Sequence, residues 1–169
     1  MLNEKLEKAF SEQINKELYS EYFYLAMQAY LAQLGLKGFV NWMSIQVKEE
    51  RAHAMGLFNY VYERGSKVYL ETIEKPKTQW NSVVEVFKDV LEHEKYVTSL
   101  INKLYDVAQE AKDRAAMLYL DWYIKEQVEE ENSAQDILTQ LEMIGEDSCA
   151  LLALDEKLMA RVFTEPQIG

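Results

Sequence analysis

With 169 residues, 49% of them hydrophobic and 28% charged, the chain is long enough for one substantial core and too apolar for disorder. A formal net charge of −11 argues against nucleic-acid phosphates and anionic lipid as partners and favours cations. The single Cys149 excludes an internal disulfide, no apolar run is long enough to cross a bilayer, and the opening MLNEKLEKAF is charged where a secretory signal is apolar. A cytoplasmic protein is expected. Only 6 Gly and 2 Pro, in a chain rich in Leu, Ala, Met, Glu, Lys and Gln, predict a few long helices.

Asn3 is a candidate N-cap for a first helix running to about Leu34, with Gly35 placed to end it. The turn GLKG is too short for anything but an antiparallel neighbour, a second helix from about Lys37 to Arg64 that stops at Gly65. Residues 66–81, SKVYLETIEKPKTQWN, have no helical period and contain Pro76. Ser82 and Glu85 carry the spacing of a capping box and open a third helix to about Ala111. Asp113 caps a fourth that ends near Gly145, and Ser148 starts a short fifth before a polar tail. A connection as long as 66–81 suits a segment that runs the length of a bundle and makes the second and third helices parallel. The expected architecture is all-α: one domain over 1–169, a four-helix bundle over about 3–145 with one long crossover, and a short helix over about 148–162.

Steps of three and four pick out the inward stripe of each helix. They give Leu6, Phe10, Ile14, Glu17, Tyr24 and Leu31; then Phe39, Met43, Gln46, Glu50, His53, Leu57 and Tyr60. The third stripe is Phe87, Leu91, Glu94, Thr98, Ile101 and Tyr105, and the fourth Ala116, Leu120, Tyr123, Gln127, Glu130, Ala134, Ile137 and Leu141. Every stripe therefore carries a glutamate near mid-helix, and none carries Lys or Arg. An ionised carboxylate moved into the interior costs several kcal/mol. Two divalent cations balance four carboxylates, and oxygen-rich ligation with one imidazole suits iron or manganese. A metal-free binding bundle has no reason to place a carboxylate on all four core stripes.

Tyr24, one heptad after Glu17, is expected to donate a hydrogen bond to this site. Glu49, Glu126 and Glu129 lie one step around from the stripe and form either a solvated acidic face or an outer cation site that shares Glu130. His93, beside Glu94 but off its stripe, reads as a surface histidine. Cys149 reads as buried or half-buried, and Trp122 as packing at a bundle edge or subunit contact.

With these residues in place the chain resembles the bacterial non-haem ferritins over essentially its whole length, through Glu17, Tyr24, Glu50-x-x-His53, Glu94 and Gln127-x-x-Glu130. Bacterioferritins and rubrerythrins repeat Glu-x-x-His on the fourth helix, where this chain has Gln127-x-x-Glu130. The haem-binding methionine of bacterioferritins corresponds to Arg51, so no haem is expected, and one cysteine cannot build the iron domain of rubrerythrins. The resemblance implies a 24-subunit shell that oxidises Fe(II) with dioxygen or hydrogen peroxide and stores ferric mineral. By the same likeness one iron would use Glu17, Glu50 and His53, and the second Glu50, Glu94 and Glu130. Glu50 would bridge and Gln127 would orient a water or oxidant. Glu49, Glu126 and Glu129 match a third iron site. The acidic threefold-channel positions of animal ferritins are Met117 and Leu120 here. In this family the fifth helix surrounds a fourfold axis; Leu151, Leu154, Leu158 and Val162 suit either symmetry mates or the helix's own bundle. The alternative function is a di-iron peroxidase or oxygenase of the same superfamily, which would need a substrate pocket beside the metals.

Overall fold

The computed structural model describes residues 1–168. Among them are five helices and no strand: α1 Glu4–Gln33, α2 Lys37–Glu63, α3 Val83–Glu110, α4 Arg114–Ile144 and α5 Ser148–Leu158. Three of the expected caps form, each satisfying a backbone N–H that the helix itself cannot pair. Asn3 accepts from Leu6 N–H at 2.8 Å, Ser82 from Glu85 N–H at 3.1 Å, and Asp113 from Ala116 N–H at 3.0 Å. The capping box at Ser82 is displaced by one residue, because the Glu85 carboxylate takes the N–H of Asn81 instead of that of Ser82. Gly35 and Gly65 end α1 and α2 at φ of 75° and 63°, where a Cβ would be strained.

The short turns make α1/α2 and α3/α4 antiparallel hairpins. Phe39 and Trp42, near the start of α2, pack on Phe87, near the start of α3, with ring centroids 5.7 and 5.2 Å apart. Helices α2 and α3 are therefore parallel, and residues 66–81 cross the bundle from end to end. The crossover is held to the outer face of α1 by every second residue. Lys67 N–H donates to Glu7, Tyr69 N–H to Ser11 Oγ, and Glu71 N–H to Asn15 Oδ1, at 2.9, 3.1 and 2.9 Å. Two residues of extended chain advance about 6.7 Å and four of helix about 6.0 Å, so the two repeats stay nearly in step. Trp80 finishes the crossing, buried against Phe23 and Tyr30.

The core has two parts. One is built from the second half of α1, the start of α2, the start of α3 and the end of α4, around Tyr24, Phe39, Met43, Phe87 and Leu141. The other joins the opposite ends, around Phe10, Ile14, Leu57, Ile101 and Leu120. Between them lies a layer of buried polar side chains.

Helix α5 docks on its own bundle, against α2 and α4. The start of α2 has Leu36 at its N-cap position and no side-chain cap of its own. Asp155 of α5 fills that role, accepting the Phe39 N–H at 2.9 Å. Gly38 makes the approach possible: a Cβ there would lie 1.6 Å from the Asp155 carbonyl oxygen. Leu154 is buried at this contact. The helix is capped by Asp147, one residue earlier than Ser148, and stops at Leu158. Val162 consequently lies in the non-helical tail and is 79% exposed, so it does not extend the apolar side of α5.

Candidate metal centre

At mid-height the four long helices turn Glu17, Glu50, Glu94 and Glu130 inward, each at most 6% exposed, with His53 at 2%. The helical periodicity that buries Ile14 and Leu57 carries these groups to the same axis. Glu17, Glu50 and His53 form one triad of donor atoms, all within 4.8 Å of one another. His53, Glu126 and Glu130 form a second to the same limit. The imidazole stands between them, with Nδ1 3.6 Å from Glu50 and Nε2 3.9 Å from Glu126. Glu94 belongs to neither triad; its carboxylate accepts from the Tyr24 hydroxyl and from Gln127 Nε2.

Two of the side chains that hold the carboxylates have no role in the sequence reading. Gln13 Nε2 donates to Glu17 at 2.8 Å, one helical turn away on the same face, and Gln46 Nε2 donates to Glu130 at 2.9 Å. Gln46 was visible as a polar residue on the α2 stripe, and Gln13 as an i, i+4 partner of Glu17. Gln127 joins them: its amide nitrogen reaches both the Glu94 carboxylate and the Glu94 backbone carbonyl at 3.2 Å. The Tyr123 hydroxyl donates to the His53 carbonyl at 2.9 Å, tying α4 to α2 beside the imidazole.

These contacts leave charge uncompensated. Among the described residues, the buried side-chain atoms without a partner are Glu17 Oε2, Gln46 Oε1, Glu50 Oε2 and His53 Nε2, all in this layer. A buried acceptor with no donor is costly, and a cation supplies what these atoms lack. The donor set fits hard or borderline divalent ions. Burial raises the affinity of all four carboxyl groups for protons. Glu94 is pushed up to about 7 and Glu130 to about 8, the latter also by the charge of Glu94. Glu50 is driven well above the carboxylate range, by burial and then by Glu94, Glu17 and Glu130.

Carboxyl groups whose folded pKa is raised hold protons that the unfolded chain has released, so their contribution to stability is lost as pH rises through the folded values. Between pH 6.5 and 8 the metal-free protein is expected to lose about 1.4 kcal/mol per pH unit for each proton so held. Added divalent cation should reverse the trend and stabilise most at the alkaline end. Urea melts at stepped pH, with and without the ion, measure this; a metal-free protein that grows more stable across the window would contradict the electrostatics.

The outer acids are placed differently from one another. Glu126 enters the second triad, whereas Glu49 and Glu129 enter neither. Glu129 is exposed, and Glu49 is half-buried and paired to Arg161 at 2.7 Å. Two other expectations need correction. His93 is not a surface histidine: it is half-buried among Tyr19, Phe23 and Tyr24, with Nε2 2.8 Å from Ser20 Oγ. The Ser20 hydroxyl already donates to the Lys16 carbonyl, so His93 is the donor, and burial holds its pKa down to about 4. Being one residue off the stripe turned it toward the α1–α3 seam, where aromatic residues cover it. Cys149 is exposed, because it sits in the first turn of a helix that docks through Leu154 and Asp155. Trp122 is half-buried at the bundle edge, and its ring packs edge-on against His53, 5.5 Å between centroids.

Four long helices with one crossover, carrying four carboxylates and an imidazole in one buried layer, define the class of helical bundles that hold metal ions between their helices. Comparisons specify the family. The family profile described as a ferritin-like domain matches residues 7–144, and the chain belongs to that family. It is 38% identical over 165 residues to a bacterial non-heme ferritin of Staphylococcus epidermidis, covering 98% of this chain and 99% of that one. The corresponding protein of Staphylococcus aureus is 37% identical over the same length. Among solved structures, a humanized archaeal ferritin superimposes with a TM-score of 0.96 at 48% identity, covering 97% of this chain and 99% of that one. An open-pore ferritin from the hyperthermophilic archaeon Archaeoglobus fulgidus gives 0.94, also at 48% identity, over 96% and 99%.

Proposed function

We propose that this chain is an iron-storage ferritin with ferroxidase activity. Fe(II) and dioxygen or hydrogen peroxide are its substrates, 24 copies form the shell that stores the ferric mineral, and the protein works in the cytoplasm. The observation that carries this reading is the buried layer, where four carboxylates and His53 leave acceptor atoms with no protein donor. The relatives named as ferritins, matched over nearly full length, support it.

In this reading Glu17, Glu50 and His53 take one iron, and Glu50, Glu94 and Glu130 the other, with Glu50 as the bridge. Two ions so held can each give one electron to a single oxidant, and the anionic ligands favour the Fe(III) product. Tyr24 and Gln127 fix the carboxylate of Glu94. Glu49, Glu126 and Glu129, with Glu130, offer an outer site through which iron passes.

A peroxidase or oxygenase acting on an organic substrate would need an open pocket beside the carboxylates. A surface cavity of about 380 Å³ lies instead between α1, the crossover and α3, lined by Lys16, Tyr19 and His93. The deciding experiment is anaerobic Fe(II) titration of the apoprotein, followed by mixing with oxygen while absorbance and particle size are followed. Two or three ions per chain, rapid ferric absorbance and a particle of about two dozen chains would support the ferritin reading. Two ions in a monomer or dimer that forms no mineral would favour the organic-substrate enzyme, and no binding would refute both.

A further inference from the structure

The tail that follows α5 is the only described segment that brings a cationic side chain into contact with one of the outer acids. After Leu158 the chain turns back along α2. Asn41 Nδ2 holds it there, donating to the carbonyls of Leu158 and Arg161 at 3.1 and 3.0 Å. The Arg161 guanidinium then lies over the Trp42 ring, 4.9 Å from its centroid, and donates to Glu49 at 2.7 Å. Both partners of this pair are largely shielded, with side chains 26% and 19% exposed. Further along, Phe163 lies 5.7 Å from the Lys48 ammonium, and Ile168 reaches Gly56. The tail thus lies on the α2 face that carries Glu49, close to the outer triad of His53, Glu126 and Glu130.

One observation points to a ligand there, and a second shows what holds Glu49 away from it. His53 Nε2 is buried, without a partner, and faces Glu126 across 3.9 Å. Glu49 is turned to Arg161 and belongs to neither triad of donor atoms. We propose that Arg161 is the built-in counter-cation of the outer acidic site, and that a ferrous ion completes that site by displacing Arg161 from Glu49. The inference rests on the outer site described under the proposed function and adds the residue that sets its occupancy.

Displacement has a second consequence, since coupling between two binding events is reciprocal. If the guanidinium and the ion exclude each other at Glu49, filling the outer site frees the tail, and freeing the tail tightens the outer site. Arg161 is therefore a positioning residue for the tail and an internal competitor for iron. The stack on Trp42 and the clamp by Asn41 raise its local concentration at Glu49 without any dedicated loop.

The test is anaerobic titration with ferrous ion alone, by calorimetry, on assembled wild type and three variants, with hydrogen exchange of residues 159–168 recorded at each equivalent. Arg161→Gln should bind the third equivalent about tenfold more tightly than wild type. Asn41→Ala, which keeps the arginine but releases the backbone, should shift affinity in the same direction by less. Glu126→Gln should weaken the third equivalent. In wild type, exchange in the tail should accelerate only as the third equivalent is added. Equal or weaker third-site binding in Arg161→Gln, with Glu126→Gln still impaired, would overturn the competition while leaving the outer site standing. Absence of a third equivalent in every protein would remove the outer site and this inference with it.

Discussion

Replacing Glu50 with alanine should slow rapid Fe(II) oxidation by about 100-fold or more, yet spare the metal-free protein the loss that core truncations ordinarily bring. A buried leucine cut to alanine costs about 2–5 kcal/mol, because transfer free energy and packing are both lost. Glu50 differs because its environment opposes its charge: burial comes first, then repulsion from Glu94, Glu17 and Glu130. Removing it relieves its three acidic neighbours and deletes one partnerless buried oxygen. Stopped-flow absorbance gives the rate and differential scanning calorimetry the stability. The variant should also lose most of the gain in melting temperature that wild type shows on adding Fe(II). An initial rate within twofold of wild type would exclude Glu50 as the bridge.

Gly38→Ala should have the largest structural effect of any glycine-to-alanine change among the described residues. The added carbon would meet the Asp155 backbone oxygen at 1.6 Å, and backbone cannot swing aside as a long side chain can. Helix α5 has to leave its seat, taking the cap on Phe39 N–H and the burial of Leu154 with it. We expect a loss of about 3–5 kcal/mol and amide exchange in α5 approaching that of free peptide. Asp155→Ala removes only the cap and should cost about 1–2 kcal/mol. If α5 contributes to shell contacts, Gly38→Ala will also shift the particle toward smaller species in light scattering. Unchanged protection of α5 amides in this variant would show that the close approach is not required.

Much of this was legible in the sequence because helices advertise their faces. The stripes through Glu17, Glu50, Glu94 and Glu130 follow from a period of 3.6, and Asn3, Ser82 and Asp113 mark their helix starts by chemistry that acts over three residues. What was hidden depends on contacts between segments far apart in the chain. Nothing near Gly38 announces Asp155, and nothing near Glu49 announces Arg161. His93 is hidden for the same reason: its cover comes from α1, more than sixty positions away. The period of α2 turns Gln46 inward but leaves its role open, because periodicity reports which residues face inward and not which oxygen an amide will reach.

The division of the core bears on how a cargo ion gets inside. Each apolar half is a closed cluster with its own aromatic and aliphatic packing, and the acidic layer is the one level where packing is replaced by mutual repulsion. The bundle behaves like a clasp riveted at both ends and sprung at the waist. Small opening motions at mid-height would leave both clusters intact and, once the layer is ionised at alkaline pH, would separate like charges, so low-cost opening of the metal-free fold is expected there. An arriving cation reverses the spring, drawing the four helices together at the level where they had been pushing apart. Uptake of iron and stiffening of the waist are then one event, and neither end of the bundle has to yield.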